Sequence, residues 1–117
     1  MLEFIIRLEQ DILSAMTLNQ NSLLDGLNVL SEEMFTDSDH QLWFRSIKEI
    51  FTQSKQVTIY EVVNHAATNY NADFNGILRY ITNCTDAVVS IQEIKSTLTL
   101  FKDKYKQRSL AELYFNA

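Results

Sequence analysis

Val57-Thr58-Ile59-Tyr60-Glu61-Val62-Val63 decides the fold. Thr58 can accept a hydrogen bond from the third residue of a helix, Glu61 can reach back to the cap, and Val57 and Val62 stand where the two halves of a hydrophobic staple belong. The stretch predicts a helix beginning near residue 59. Ser90-Ile91-Gln92-Glu93 repeats the device, with Val89 and Ile94 as the staple, and predicts another start near residue 91. Ser38 to Gln41 is a weaker box ahead of Trp43, and Ser31-Glu32-Glu33-Met34-Phe35 reads as a short helical turn.

Outward from these signals, apolar residues recur at spacings of three and four. Ile5, Leu8, Ile12 and Met16 form one stripe, and Leu23, Leu24 and Leu27 a second. Trp43, Ile47, Ile50 and Phe51 form a third; Val62, Val63 and Ala66 a fourth; Phe74, Ile77, Leu78 and Ile81 a fifth. Polar clusters separate them at Asn19-Gln20-Asn21, Thr36 to Asp39, Gln53 to Gln56, Asn69 to Asn71 and Asn83 to Asp86. With 2 glycines and no proline, the chain lacks the residues that tight β-hairpins use, so the fold class is all-α.

The 117 residues, 46% of them apolar, suffice for one domain that buries roughly 65% of its unfolded surface without disulfides or metal. A lone cysteine, Cys84, and an N-terminus without a basic start or long apolar core fit a reducing cytoplasm. No apolar stretch approaches the ~20 residues that span a bilayer, and the chain reads as soluble. Neither Gly26 nor Gly76 is followed by lysine, so a phosphate-cradling Walker loop is absent and ATP hydrolysis is not expected of this chain alone.

Chemistry-bearing residues are sparse. His40 and His65 lack a second metal ligand at helical spacing, and Asp37 and Asp39 ahead of His40 read as a helix cap. Cys84 falls in a polar connection with no histidine nearby, which is poor ground for a nucleophile. Glu32 and Glu33 suit a helix start without any acid–base role. We find no catalytic constellation, no metal site and no cofactor site.

From Ser90 the pattern lengthens. Ile91, Ile94, Leu98, Phe101 and Tyr105 hold one seam over four turns, after which the apolar positions jump to Leu110, Leu113 and Tyr114, displaced around the helix. Either the helix turns near Gln107-Arg108-Ser109, or it continues and offers a second face to another neighbour. The seam itself must pack on the preceding helices or on another chain. Residues 90–108 carry Lys95, Lys102, Lys104, Lys106 and Arg108 against Glu93 and Asp103, a charge of +3, which leaves −8 elsewhere for a total of −5. Cations late in a helix complement its dipole. Lys102, Lys104, Lys106 and Arg108 can equally form a partner surface, whereas a chain of pI near 4.9 lacks the footprint of a nucleic-acid binder.

The order of these segments resembles a known family. Glu9-Gln10-Asp11-Ile12-Leu13-Ser14-Ala15-Met16 is similar to the Glu-Gln-x-Val-Leu-Gly-x-Leu/Met opening of the N-terminal domain of DnaB-type replicative helicases. Leu30 to Phe35 resembles that family's Leu-x-x-x-x-Phe turn, and His40-Gln41-Leu42-Trp43-Phe44 its His-x-x-Ile-Phe helix start. Val57-Thr58 with Glu61-Val62-Val63 falls where the family has Val-Asp-x-x-Thr-Val. Ile77 to Ile81 stands at its Tyr-Leu-x-x-Leu, and Ile91 to Tyr105 resembles its long helix. The likeness spans about residues 8–113. It departs at Ser54-Lys55-Gln56, Asn71-Ala72-Asp73 and Thr85-Asp86-Ala87, where the family usually carries glycine or proline; such drift suits a divergent, phage- or plasmid-encoded member.

The resemblance implies a compact head of five to six helices over residues 1–89 and a long helix or helical hairpin over 90–117, within a single domain. The helicase-binding domain at the end of bacterial primases shares that shape. The implied function is a non-catalytic scaffold of a replicative DNA helicase, self-associating into a dimer or hexameric collar and binding primase or a helicase loader in the cytoplasm. We expect Ile91, Ile94, Leu98, Phe101 and Tyr105 to carry the self-contact, with no direct nucleic-acid or membrane contact. The alternatives are a primase's helicase-binding domain, or a stand-alone adaptor or inhibitor that imitates the helicase domain.

Overall fold

The computed structural model describes residues 2–53, 56–87 and 94–116, with side chains to residue 113 in the last segment. Six α-helices and one 3-10 turn make up these residues, and no strand occurs among them. They are α1 (Leu2–Leu18), α2 (Gln20–Val29), the turn Glu32–Met34, α3 (Ser38–Gln53), α4 (Ile59–Tyr70), α5 (Phe74–Asp86) and α6 (Ile94–Asn116). The expected all-α class and the turn after Ser31 are therefore found.

Local chemistry sets most boundaries. Thr58 Oγ1 accepts from the Glu61 N–H at 3.1 Å and starts α4 where the sequence placed it. Asn19 and Asp73 cap α2 and α5 in the same way, through Ser22 N–H at 2.9 Å and Gly76 N–H at 3.2 Å. Asn71 closes α4 at φ 56°, a left-handed position that asparagine tolerates. One boundary selects between two expected caps, and one differs from expectation. The cap of α3 is Asp37, whose Oδ1 accepts from the Asp39 and His40 N–H groups, while Gln41 Nε2 donates to the Phe35 carbonyl. And α5 runs through Asn83 to Asp86, because Thr85 turns its hydroxyl onto the Thr82 carbonyl and, with Cys84, is buried. Cys84 is thus helical rather than in a connection. The Ser90–Glu93 box lies outside the described residues.

α1 is the central element, touching α2, α3, α5 and α6; α3, α4 and α5 pack in sequence beside it. Its inward positions Ile12, Leu13 and Met16 are fully buried. α2 crosses so closely that a Cβ at Gly26 would sit 2.5 Å from Met16 Sδ, which is why glycine stands mid-helix at a propensity cost of about 1 kcal/mol. α6 lies across α1 and α2 and is continuous past Gln107-Arg108-Ser109, so among the described residues it is one helix and not a hairpin.

Candidate functional site

Glu9 occupies the inward stripe of α1, at i+4 from Ile5 and i+1 from Leu8, and is fully buried. A carboxylate there must be answered by buried donors. Oε2 accepts from the Thr36 N–H at 2.8 Å and the Thr36 hydroxyl at 2.7 Å, and Oε1 lies 2.7 Å from His40 Nδ1. Across the ring, His40 Nε2 lies 2.6 Å from the Tyr80 hydroxyl, which Gln10 Nε2 approaches at 3.1 Å. An ionised carboxylate only accepts, so Nδ1 carries hydrogen toward Glu9. Gln10 donates to the Tyr80 hydroxyl, and with hydrogen on Nδ1 the other ring nitrogen can accept from Tyr80. One polar chain thereby ties α1, α3, α5 and the link before α3.

Carboxylate, imidazole and hydroxyl in line is also the order of a nucleophile relay. Here the chemistry runs the other way. Burial pushes the Tyr80 phenol up to about 12, with the Gln10 hydrogen bond opposing, whereas a nucleophile needs a lowered value. His40 and Glu9 have no exposed surface from which to meet a substrate. The cluster holds helices in register.

Tyr80 also forms part of the floor of a cleft of about 500 Å³ between α3, α4 and α5. Trp43 lies beside it, its indole N–H donating to Thr17 Oγ1 at 3.0 Å. Asp39 and Asp73 are the charged lining residues. The Tyr70 wall is pinned by its hydroxyl donating to Glu49 at 2.6 Å and by the Arg45 guanidinium 5.0 Å above the ring. Arg45 is itself held by both Glu32 oxygens, which lowers the Glu32 carboxyl below its usual range. Glu49 is lowered too, through its hydrogen bonds to Tyr70 and His65.

The residues expected to form a self-contact are mostly turned inward. Ile94, Leu98 and Phe101 are 8%, 5% and 0% exposed, in the core formed with α1 and α2. Phe101 meets Phe35 at 5.3 Å between ring centres, and Phe35 meets Phe44 at 5.2 Å. The chain's own helices cover these three. Tyr105 is half-buried with the Arg108 guanidinium over its ring, and Ile91 lies outside the described residues. The displaced second face does reach solvent, with Leu110 and Leu113 at 66% and 69% exposure.

Nor do Lys102, Lys104, Lys106 and Arg108 make one patch. At 100° per residue Lys102 and Lys106 share one flank of α6, and Lys104 and Arg108 the opposite one. Arg108 is committed inward, donating to the Met34 carbonyl at 2.9 Å. Lys95 joins the first flank and, with Lys102, borders a groove against Asp25 and Val29 of α2.

Cys84 is buried and its thiol pushed up by desolvation. Among the described residues no three His, Cys, Asp or Glu side chains are grouped to hold a metal, and no helix is long and apolar enough to cross a membrane. Sequence reading missed the Glu9–His40–Tyr80 chain, although a glutamate on an apolar stripe was a visible sign that a buried partner was needed.

The architecture defines an all-helical domain in which a compact head carries one long, partly overhanging helix. The sequence profile of the DnaB-like helicase N-terminal domain matches residues 1–103, and the chain belongs to that family. The replicative DNA helicase DnaB of Rhodothermus marinus is 26% identical over 105 residues, an alignment covering 90% of this chain and 11% of that protein.

Proposed function

We propose that the chain serves as a non-catalytic N-terminal scaffold of a replicative DNA helicase. In this reading the head, residues 1–89, receives primase or a helicase loader, and the long helix, residues 90–117, joins copies of the domain into a dimer or hexameric collar. The observation that carries the reading is the outward pair Leu110 and Leu113, presented on a helix whose other face is anchored in the core by Leu98 and Phe101. Leucines exposed on an anchored helix suit a helix–helix contact. Burying each is worth about 1.5–3 kcal/mol, so four across a two-fold axis offset an association cost of about 4 kcal/mol or more and give a weak dimer. Family membership supports the helicase assignment over the primase domain of similar shape.

Calorimetric titration of the chain with the helicase-binding domain of its cognate primase tests the partner role. Saturable heat at about 1:1 stoichiometry is expected, and no heat at concentrations of about 100 μM contradicts it.

A further inference from the structure

The cleft between α3, α4 and α5 is used by nothing else in the fold. Its floor and walls are apolar, from Trp43, Val62, Ala66, Ile77 and Ile81, and no Lys or Arg lines it. At its mouth Asp39 and Asp73 are both exposed. Asp39 has no side-chain partner among the described residues, and Asp73 spends Oδ2 on the Gly76 N–H, which leaves Oδ1 open. The one hydroxyl in the floor, that of Tyr80, is already engaged by His40 and Gln10, so no free polar group inside would orient a small polar ligand. No strand edge exists among the described residues, so an extended peptide has no ladder to join. What remains is the mode in which a helix lays apolar anchors into a groove between helices.

We propose that this cleft docks a cationic amphipathic helix of a partner protein. One or two large apolar side chains enter beside Trp43 and Ile77, and a Lys or Arg one turn away pairs with Asp39 and Asp73. Charge complementarity selects the occupant: two carboxylates with no neighbouring cation in the lining favour a basic segment and repel an acidic one. The proposal rests on the reading of the domain as a partner-receiving scaffold and names the chemistry of what it receives.

Trp43 is the only tryptophan, so the emission comes from this one ring, which lines the cleft and packs on Tyr80 and His40 beneath it. The probe is a helical peptide of leucine and lysine, with a leucine–glutamate peptide of the same pattern as control. The Leu/Lys peptide is expected to shift Trp43 emission to saturation and the Leu/Glu peptide to leave it unchanged. Asp39→Lys, at an exposed position, should weaken binding by about tenfold. Glu112→Lys, the same charge change on α6, should alter it by less than about twofold. A silent Trp43, equal binding to Asp39→Lys, or an equal response to the acidic peptide overturns the proposal. So does Trp43 emission that shifts with the concentration of the protein alone, since the occupant is then a second copy. If a partner still binds while Trp43 stays silent, only the docking assignment fails; if no partner binds at all, the scaffold reading fails with it.

Discussion

Phe101 of α6 meets Phe35 with ring centres 5.3 Å apart and planes tilted by 39°, and through Phe35 it is linked to Phe44 of α3. Three rings from distant parts of the chain thus fasten the long helix to the head. Phe101→Ala should destabilise the whole domain by about 3–5 kcal/mol, the usual cost of emptying a buried aromatic site. Urea denaturation followed by circular dichroism measures this. A loss below about 1 kcal/mol would mean that α6 is not fastened there.

Glu9 accepts from His40 and twice from Thr36. Glu9→Leu strips all three donors of their acceptor and leaves the fully buried His40 Nδ1–H unpaired, while Thr36, on an exposed residue, can turn to water; it should cost about 3 kcal/mol. Tyr80→Phe removes one hydroxyl at the open end of the same chain and should cost about 1 kcal/mol. Thermal melting of the two variants ranks them. Equal costs would contradict this ranking.

Because burial raises the Tyr80 phenol to about 12, above its unfolded value near 10, the folded state holds this proton more tightly. The resulting stability is fully present below pH 10 and is lost as the pH rises toward 12. Ultraviolet titration of the 5 tyrosines should show Tyr70, raised by its hydrogen bond to Glu49, and Tyr80 among the late-ionising groups, and Tyr80→Phe should lower the late amplitude by one tyrosine. An unchanged late amplitude in the variant contradicts the assignment to Tyr80.

The start of α4 was legible because its signal is local: Thr58, Glu61 and the flanking valines all lie within six residues. At the start of α3 the sequence offered two competent caps, Asp37 and Ser38, and the bonds from the Asp39 and His40 N–H groups to Asp37, with Gln41 turned to the Phe35 carbonyl, choose the first. The end of α5 was misplaced because Asn83-Cys84-Thr85-Asp86 is polar in composition, yet tertiary burial of Cys84 and Thr85 keeps it helical. The Glu9–His40–Tyr80 chain joins residues 31 and 40 positions apart, a distance over which periodicity carries no information. The cleft follows the same logic, since Trp43, Val62, Ala66, Ile77 and Ile81 were all legible as apolar stripe residues, and only their packing leaves a space between them. Likewise the spacing of Ile94, Leu98 and Phe101 announced an amphipathic helix but not which neighbour would cover it.

With Ile94, Leu98 and Phe101 covered by the chain's own helices, the proposed joining of copies rests on Leu110 and Leu113, and sedimentation velocity tests it most directly. From about 10 to 500 μM the unmodified chain should shift from monomer toward dimer, and Leu110→Lys with Leu113→Lys should remain monomeric with unchanged helicity. A chain that stays monomeric throughout, or a double variant that associates as well as the original, contradicts the account.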